Sequence, residues 1–249
     1  MKKKTLAGWG VGLALLLLPV PGLRAQWSLE AESGLVWSGY NDVRIPGDGG
    51  TLFSLSRDLS SDSGIFIRAR LTWQFHPRHA FSVLYAPLVL KAAGSVDKAI
   101  LYNGETFAPG TPLAGRYMFN SYRLTYRYTL IDGARFKLGI GFTAKIRDAG
   151  IRIEGGGKTT EKTNVGFVPL INFRLDWRLS EALALILEGD ALAAPQGRAE
   201  DIFLGLGWDV ARSVTIKAGY RFVEGGSDGA NVYNFTWVNY ASLGAILRF

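Results

Sequence analysis

The stretch "RFKLGIGFTAKIR", residues 135–147, alternates apolar and polar side chains for far longer than an ordinary strand does. Phe136, Leu138, Ile140, Phe142, Ala144 and Ile146 share one face, against Lys137, Gly139, Gly141, Thr143, Lys145 and Arg147 on the other. In "VGFVPLINFRLDWRL", residues 165–179, Phe167, Pro169, Ile171, Phe173, Leu175, Trp177 and Leu179 likewise oppose Asn172, Arg174, Asp176 and Arg178. A period of two sustained over such lengths demands sheet, because successive side chains of a strand point to opposite faces. No comparable stretch after residue 25 has helical period.

Extended along the chain, this pattern gives ten strands, near 27–38, 64–75, 80–95, 114–130, 135–153, 162–179, 182–194, 200–210, 214–225 and 235–249. The connections "HPRH", "IDGA", "SE" and "ARS" are short. Those near 39–63, 96–113, 154–161, 195–199 and 226–234 are mostly longer and rich in Gly, Asp, Ser and Pro, and long alternates with short throughout. An all-β, up-and-down antiparallel barrel whose two rims face different compartments produces this rhythm. With ten strands, both termini fall on the short-turn rim.

Alternation alone does not say whether the apolar face points inward or outward. Three observations favour a membrane barrel, apolar outside. Bulky apolar residues recur on every strand, more than the interior of a barrel this size can hold. Gly139, Gly141, Gly205, Gly207, Gly219 and Gly244 share the polar face, where glycine provides room in a crowded lumen. Trp73, Phe75, Tyr128, Phe136, Trp177, Trp208 and Phe249 cluster near the short turns, as an interfacial aromatic girdle would.

The first 25 residues carry Lys2, Lys3 and Lys4, an apolar run from Leu6 to Leu18, Pro19 and Pro21, and Ala25 as a small residue for cleavage. This is the layout of a secretory signal peptide, with Gln26 the expected first mature residue and 26–249 the barrel domain. Residues 1–25 hold four of the 28 basic residues and none of the 21 acidic ones, so the remainder is only +3. That balance, with export, argues against nucleic acid as a partner. Cysteine is absent, which removes disulfides, thiolate zinc sites and thiol nucleophiles together.

At the other end, "NYASLGAILRF" places Leu243, Ala245, Leu247 and Phe249 on one face of a final strand that can close the barrel against the first. This strand resembles the C-terminal assembly signal of bacterial outer-membrane β-barrel proteins. The resemblance implies the outer membrane, contact with its lipid and lipopolysaccharide, and recognition by the barrel-assembly machinery.

The only histidines, His76 and His79, flank "PR" in a short turn and read as turn residues, because catalysis would need an oriented partner and a cleft. "GGGKTT", residues 155–160, lacks the glycine five places before Gly157 that a phosphate loop requires, and reads as a loop tip. Asp42, Asp48 and Asp58 in the first long loop are too loosely spaced for calcium. No catalytic residue, metal or cofactor is expected.

The lumen carries the informative charges. Glu30 and Glu32 on the first strand neighbour Arg68 and Arg70 on the second, and Arg174 and Asp176 on the sixth neighbour Glu188 and Asp190 on the seventh. Arg123, Arg127, Lys137, Lys145 and Arg147 crowd the fourth and fifth strands with no acid in the same hairpin's inward set. Either they reach across to Glu30 and Glu32, or they form a basic wall that attracts anions. The expected function is accordingly a narrow solute pore or ligand-binding barrel with a net basic lumen. The alternative is a plugged, non-conducting barrel for surface recognition or envelope structure, and a third reading is an envelope enzyme. Salt bridges filling the cross-section would favour the plug.

Overall fold

The computed structural model describes residues 26–195 and 197–249, and the segment assigned as a signal peptide lies outside them. Among the described residues there is no helix. The strands are β1 (Gln26–Arg44), β2 (Phe53–Ser54), β3 (Ser60–Ser61), β4 (Gly64–His76), β5 (His79–Ala86), β6 (Val89–Gly94), β7 (Ile100–Tyr102) and β8 (Glu105–Phe107). They continue as β9 (Leu113–Asp132), β10 (Phe136–Gly155), β11 (Lys158–Arg178), β12 (Leu183–Ala194), β13 (Gly197–Ala211), β14 (Val214–Asp228) and β15 (Tyr233–Arg248).

Ten staves close a ring in the order β1, β4, β5 with β6, β9, β10, β11, β12, β13, β14 and β15, every neighbour antiparallel. The third stave, read as one strand over 80–95, is broken at Pro87–Leu88 into β5 and β6, which both pair with β9. Proline has no N–H for the ladder, and Phe119 N–H donates to Leu88 O across the break at 2.9 Å. The ring closes fully at the C-terminus: Phe249 N–H donates to Trp27 O and Trp27 N–H to Phe249 O, both at 2.9 Å.

The apolar face points outward. Ile65 (71 % exposed), Val165 (68 %), Phe167 (61 %) and Leu243 (60 %) would be costly in water, and together with Leu35, Ile67, Phe142, Ile171 and Leu204 they form a continuous belt. Near the rim that holds the termini, Trp27 stacks on Trp73 at 5.8 Å and Phe136 on Trp177 at 5.4 Å. A second aromatic band, which the sequence pattern did not reveal, borders the belt on its far side: Phe222 stacks on Trp237 at 4.9 Å and Tyr85 on Tyr122 at 5.3 Å.

Inside, glycine does the service expected of it at Gly205 and Gly219. A Cβ on either would run into the Phe203 ring, which is fully buried in the lumen.

The far rim departs from the expected loops. The segment 154–161 is the tip of a tall β10–β11 hairpin, turning on Gly156 and Gly157 at φ +56° and +75°, a left-handed backbone that favours glycine. The segments 39–63 and 96–113 carry the short strands β2, β3, β7 and β8, below the length at which alternation can be read. Phe53, Leu55, Leu59, Ile100, Tyr102 and Phe107 from these segments pack on Leu113, Tyr117, Ile151 and Ile153 of the tall wall, forming an apolar cap. Tyr102 donates its hydroxyl to Ile151 O at 2.7 Å, and burial pushes its phenol well above the usual tyrosine range.

Candidate functional site

At mid-depth the lumen is crossed by a lattice of buried ions. Lys217, with a fully buried side chain, is ion-paired with Glu30, with Glu188 at 2.6 Å and with Glu32 at 3.2 Å. Arg221 holds Glu32 at 2.8 Å, Asp201 at 2.7 Å and Glu188 at 3.2 Å. Arg68 reaches Asp201 at 2.9 Å, and Arg70 reaches Glu188 at 3.4 Å and Glu30 at 3.9 Å. Arg174 ties Glu188 to Asp176, both at 2.8 Å.

These contacts span the barrel as well as its wall. Arg70 on β4 and Glu188 on β12 belong to staves five apart, on opposite sides of the ring of ten, and Arg68 on β4 and Asp201 on β13 to staves four apart. Six carboxylates (Glu30, Glu32, Asp176, Glu188, Asp190, Asp201) thus meet six cations (Arg68, Arg70, Arg123, Arg174, Lys217, Arg221). Ions neutralised and hydrogen-bonded in this way can remain in such an interior, whereas any one left alone would be expensive; among the lattice cations only Arg68 has a buried nitrogen, Nε, without a partner among the described residues. Phe203 completes the layer, with Lys217 4.2 Å and Arg221 5.2 Å from its ring centre.

The five residues read as a basic wall separate into four groups. Arg123 pairs with Asp190 and Asp201, both at 2.6 Å, rather than with Glu30 or Glu32, which Lys217 and Arg221 occupy from β14. Arg127 donates to Asn172 Oδ1 at 2.8 Å. Lys137 lies on the rim of the termini, 2.9 Å from Asp132, and its hydrogen bond holds the Asp132 carboxyl below the usual carboxylate range. Lys145 and Arg147 lie beyond the lattice and face a cavity.

Asp201, Lys217, Arg221 and Phe203 were not anticipated as site residues. The signal was present: they share inward parity with Gly205, Gly207 and Gly219 on the same two strands. Only knowledge of which staves stand opposite one another turns that parity into pairings.

Glu30, Glu32 and Glu188 have their carboxylates close enough together to ligate a metal ion. The Lys217 ammonium contacts all three, so the trio reads as filled by the chain's own cation. His76 and His79 lie at the β4–β5 turn, where His79 Nδ1 is 2.7 Å from the Tyr126 hydroxyl. They are at the end of the barrel away from the cavity.

That cavity, of about 650 Å³, opens between the lattice and the far rim. Tyr117, Phe119, Ile151, Val168, Leu192 and Val223 line it among other apolar residues. Residues 229–232 border it and are tied to the first long loop by Asp48 N–H donating to Ala230 O at 3.2 Å. Lys145, 3 % exposed, points its ammonium over the Phe119 ring at 4.7 Å and makes no ion pair among the described residues. Arg147 donates to Asn164 Oδ1, and its Nε has no partner among the described residues. Lys162 also lines the space, while Arg198 is neutralised by Glu224 at 2.7 Å.

A closed antiparallel barrel with an apolar outer belt, two aromatic bands and a charged interior is the fold of the transmembrane β-barrels of the bacterial outer membrane, and this chain has that fold. Similar solved structures include the outer membrane protease OmpT from Escherichia coli, with 9 % identity over 92 % of this chain and 99 % of that one, at a TM-score of 0.62. The attachment invasion locus protein Ail of Yersinia pestis, in complex with the heparin analogue sucrose octasulfate, matches with 12 % identity over 90 % of this chain and 99 % of that one, at a TM-score of 0.43. No protein-family model matches the chain, and no curated protein matches it in sequence.

Proposed function

We propose that this protein is a non-conducting, non-enzymatic ligand-binding barrel: the ion lattice closes the lumen and the cavity above it receives a ligand at the extracellular side. The observation that carries the reading is the lattice itself. A pore needs a continuous water path, and here Arg70–Glu188, Arg68–Asp201 and Arg123–Asp201 contacts cross the interior between buried side chains. The cavity falls within the volume usual for small-molecule sites and joins apolar walls to a few convergent polar groups. The non-enzymatic part of the proposal draws support from the two histidines, which sit at the opposite end of the barrel from this cavity.

The test is planar-bilayer recording of the refolded protein across a salt gradient. The expected result is no unitary current above that of the empty bilayer. Reproducible single-channel steps, with a reversal potential set by the gradient, would overturn the closed lumen and restore the pore.

A further inference from the structure

The barrel wall is discontinuous above Ile171. β11 and β12 pair from Arg178–Ala184 up to Ile171–Ala191 and no further. Beyond that point β11 runs on to Lys158 with β10 as its ladder partner, while Leu192–Ala194 pair with Gly197–Ala199 of β13. Residues 158–170 therefore form a free strand edge on the β12 side, about 40 Å long at roughly 3.3 Å per residue. Pro169, with no N–H to leave unpaired, stands on this edge.

The mouth of the gap lies in the lipid-facing belt. Ile171 (54 % exposed), the last residue paired with β12, and Phe167 on the free edge point outward into it. Passing inward between the strands leads to the cavity: Phe167, Val168 and Pro169 line one side, Leu192, Ala194 and Ala199 the other. A free edge facing hydrocarbon is unfavourable, since lipid offers no hydrogen bonds. Behind it stand the buried, unpaired ammonium of Lys145 and the guanidinium of Arg147. Cations held in an apolar chamber without counter-ions favour an anion that brings its own apolar body.

We propose that the cavity takes an anionic amphiphile, an acyl chain ending in phosphate or carboxylate, that enters sideways from the bilayer between β11 and β12. Its head group sits on Lys145 and Arg147 and its chain lies against Phe119, Val168 and Leu192. This rests on the ligand-binding reading above, but it does not require the lumen to be closed.

The experiment places the protein in zwitterionic phosphatidylcholine vesicles with a diazirine-bearing dodecyl phosphate, and compares an uncharged dodecyl glucoside carrying the same diazirine. Photolabelling of the wild type is expected on peptides covering residues 162–170 and 192–199, at least tenfold stronger for the phosphate probe. Lys145→Met with Arg147→Met should abolish that preference. Because the chain has no cysteine of its own, a Pro169→Cys/Ala193→Cys variant can be bridged across the gap with a short bismaleimide. Bridging should lower labelling at least tenfold relative to the same variant alkylated singly at each thiol. Equal labelling by the two wild-type probes would overturn the anionic head group whether or not the methionine variant folds. Labelling that survives the bridge but is suppressed by millimolar inorganic phosphate would overturn lateral entry, since the occupant would then be a small anion arriving from water. Current in the bilayer assay would remove the closed lumen while leaving these labelling outcomes to decide the amphiphile.

Discussion

Replacing Glu188 by glutamine keeps the shape of the side chain and removes one charge from the centre of the lattice. Glu188 is 1 % exposed and contacts Lys217 at 2.6 Å, Arg174 at 2.8 Å, Arg221 at 3.2 Å and Arg70 at 3.4 Å. The loss is not shared equally. Lys217 retains Glu30 and Glu32, Arg221 retains Glu32 and Asp201, and Arg174 retains Asp176, whereas Arg70 keeps only Glu30 at 3.9 Å. One poorly compensated buried cation costs about 3–5 kcal/mol, and the amide oxygen still accepts a hydrogen bond, so the expected destabilisation is about 3 kcal/mol. Urea unfolding in micelles, followed by tryptophan fluorescence and by heat-modifiable electrophoretic mobility, measures it. Arg57→Met provides the exposed reference: its partner is Asp42 at 2.7 Å, but the Arg57 side chain is 66 % exposed, and the expected change is under about 1 kcal/mol. If Glu188→Gln shifts stability no more than Arg57→Met does, water must already screen the lattice, and the closed lumen would be refuted.

Two further outcomes follow from the rims. Single cysteines at Gly156 and Ser227 should react with an impermeant thiol reagent on intact cells and one at Asp132 should not; labelling at Asp132 alone would invert the barrel. For Asp132 the pH dependence has a fixed sign: the bond from Lys137 lowers its folded pKa, so its contribution is complete above the ordinary carboxylate value of about 4 and is lost as pH falls through the depressed one. Asp132→Asn should therefore be less stable than wild type at neutral pH and converge with it in acid, and a stability gap that widens on acidification would contradict the assignment.

The alternation of residues 135–147 and 165–179 was enough to orient both faces of β10 and β11, because a one-residue error would turn every side chain over. Neighbouring pairs such as Glu30 and Arg70, which face each other in the β1–β4 ladder, were legible for the same reason. The partners of Arg123 were not. Asp190 and Asp201 lie 67 and 78 residues away on staves that only the closed ring brings within reach, and no local pattern encodes a chord across a circle. The cap escaped notice because β2 and β3 are two residues long and β7 and β8 three, too short to display a period. The cavity and its gap were invisible for a different reason. They arise where β11 outruns β12, and relative strand height depends on register, which the alternation leaves free in steps of two.

That freedom gives the ion lattice a consequence for assembly. Sliding β1 by two residues against β15 would keep every apolar side chain facing lipid, so the bilayer would not resist it. The same slide would carry Glu30 and Glu32 some 7 Å along the strand, away from Lys217 and Arg221. The misregistered ring would then enclose bare carboxylates and bare cations, each at a cost of about 3–5 kcal/mol, a large part of a folded domain's total stability. The charges at the centre of the barrel therefore act as its gauge of alignment, distinguishing the one closure in which acids and bases coincide from neighbouring closures that the lipid accepts equally well.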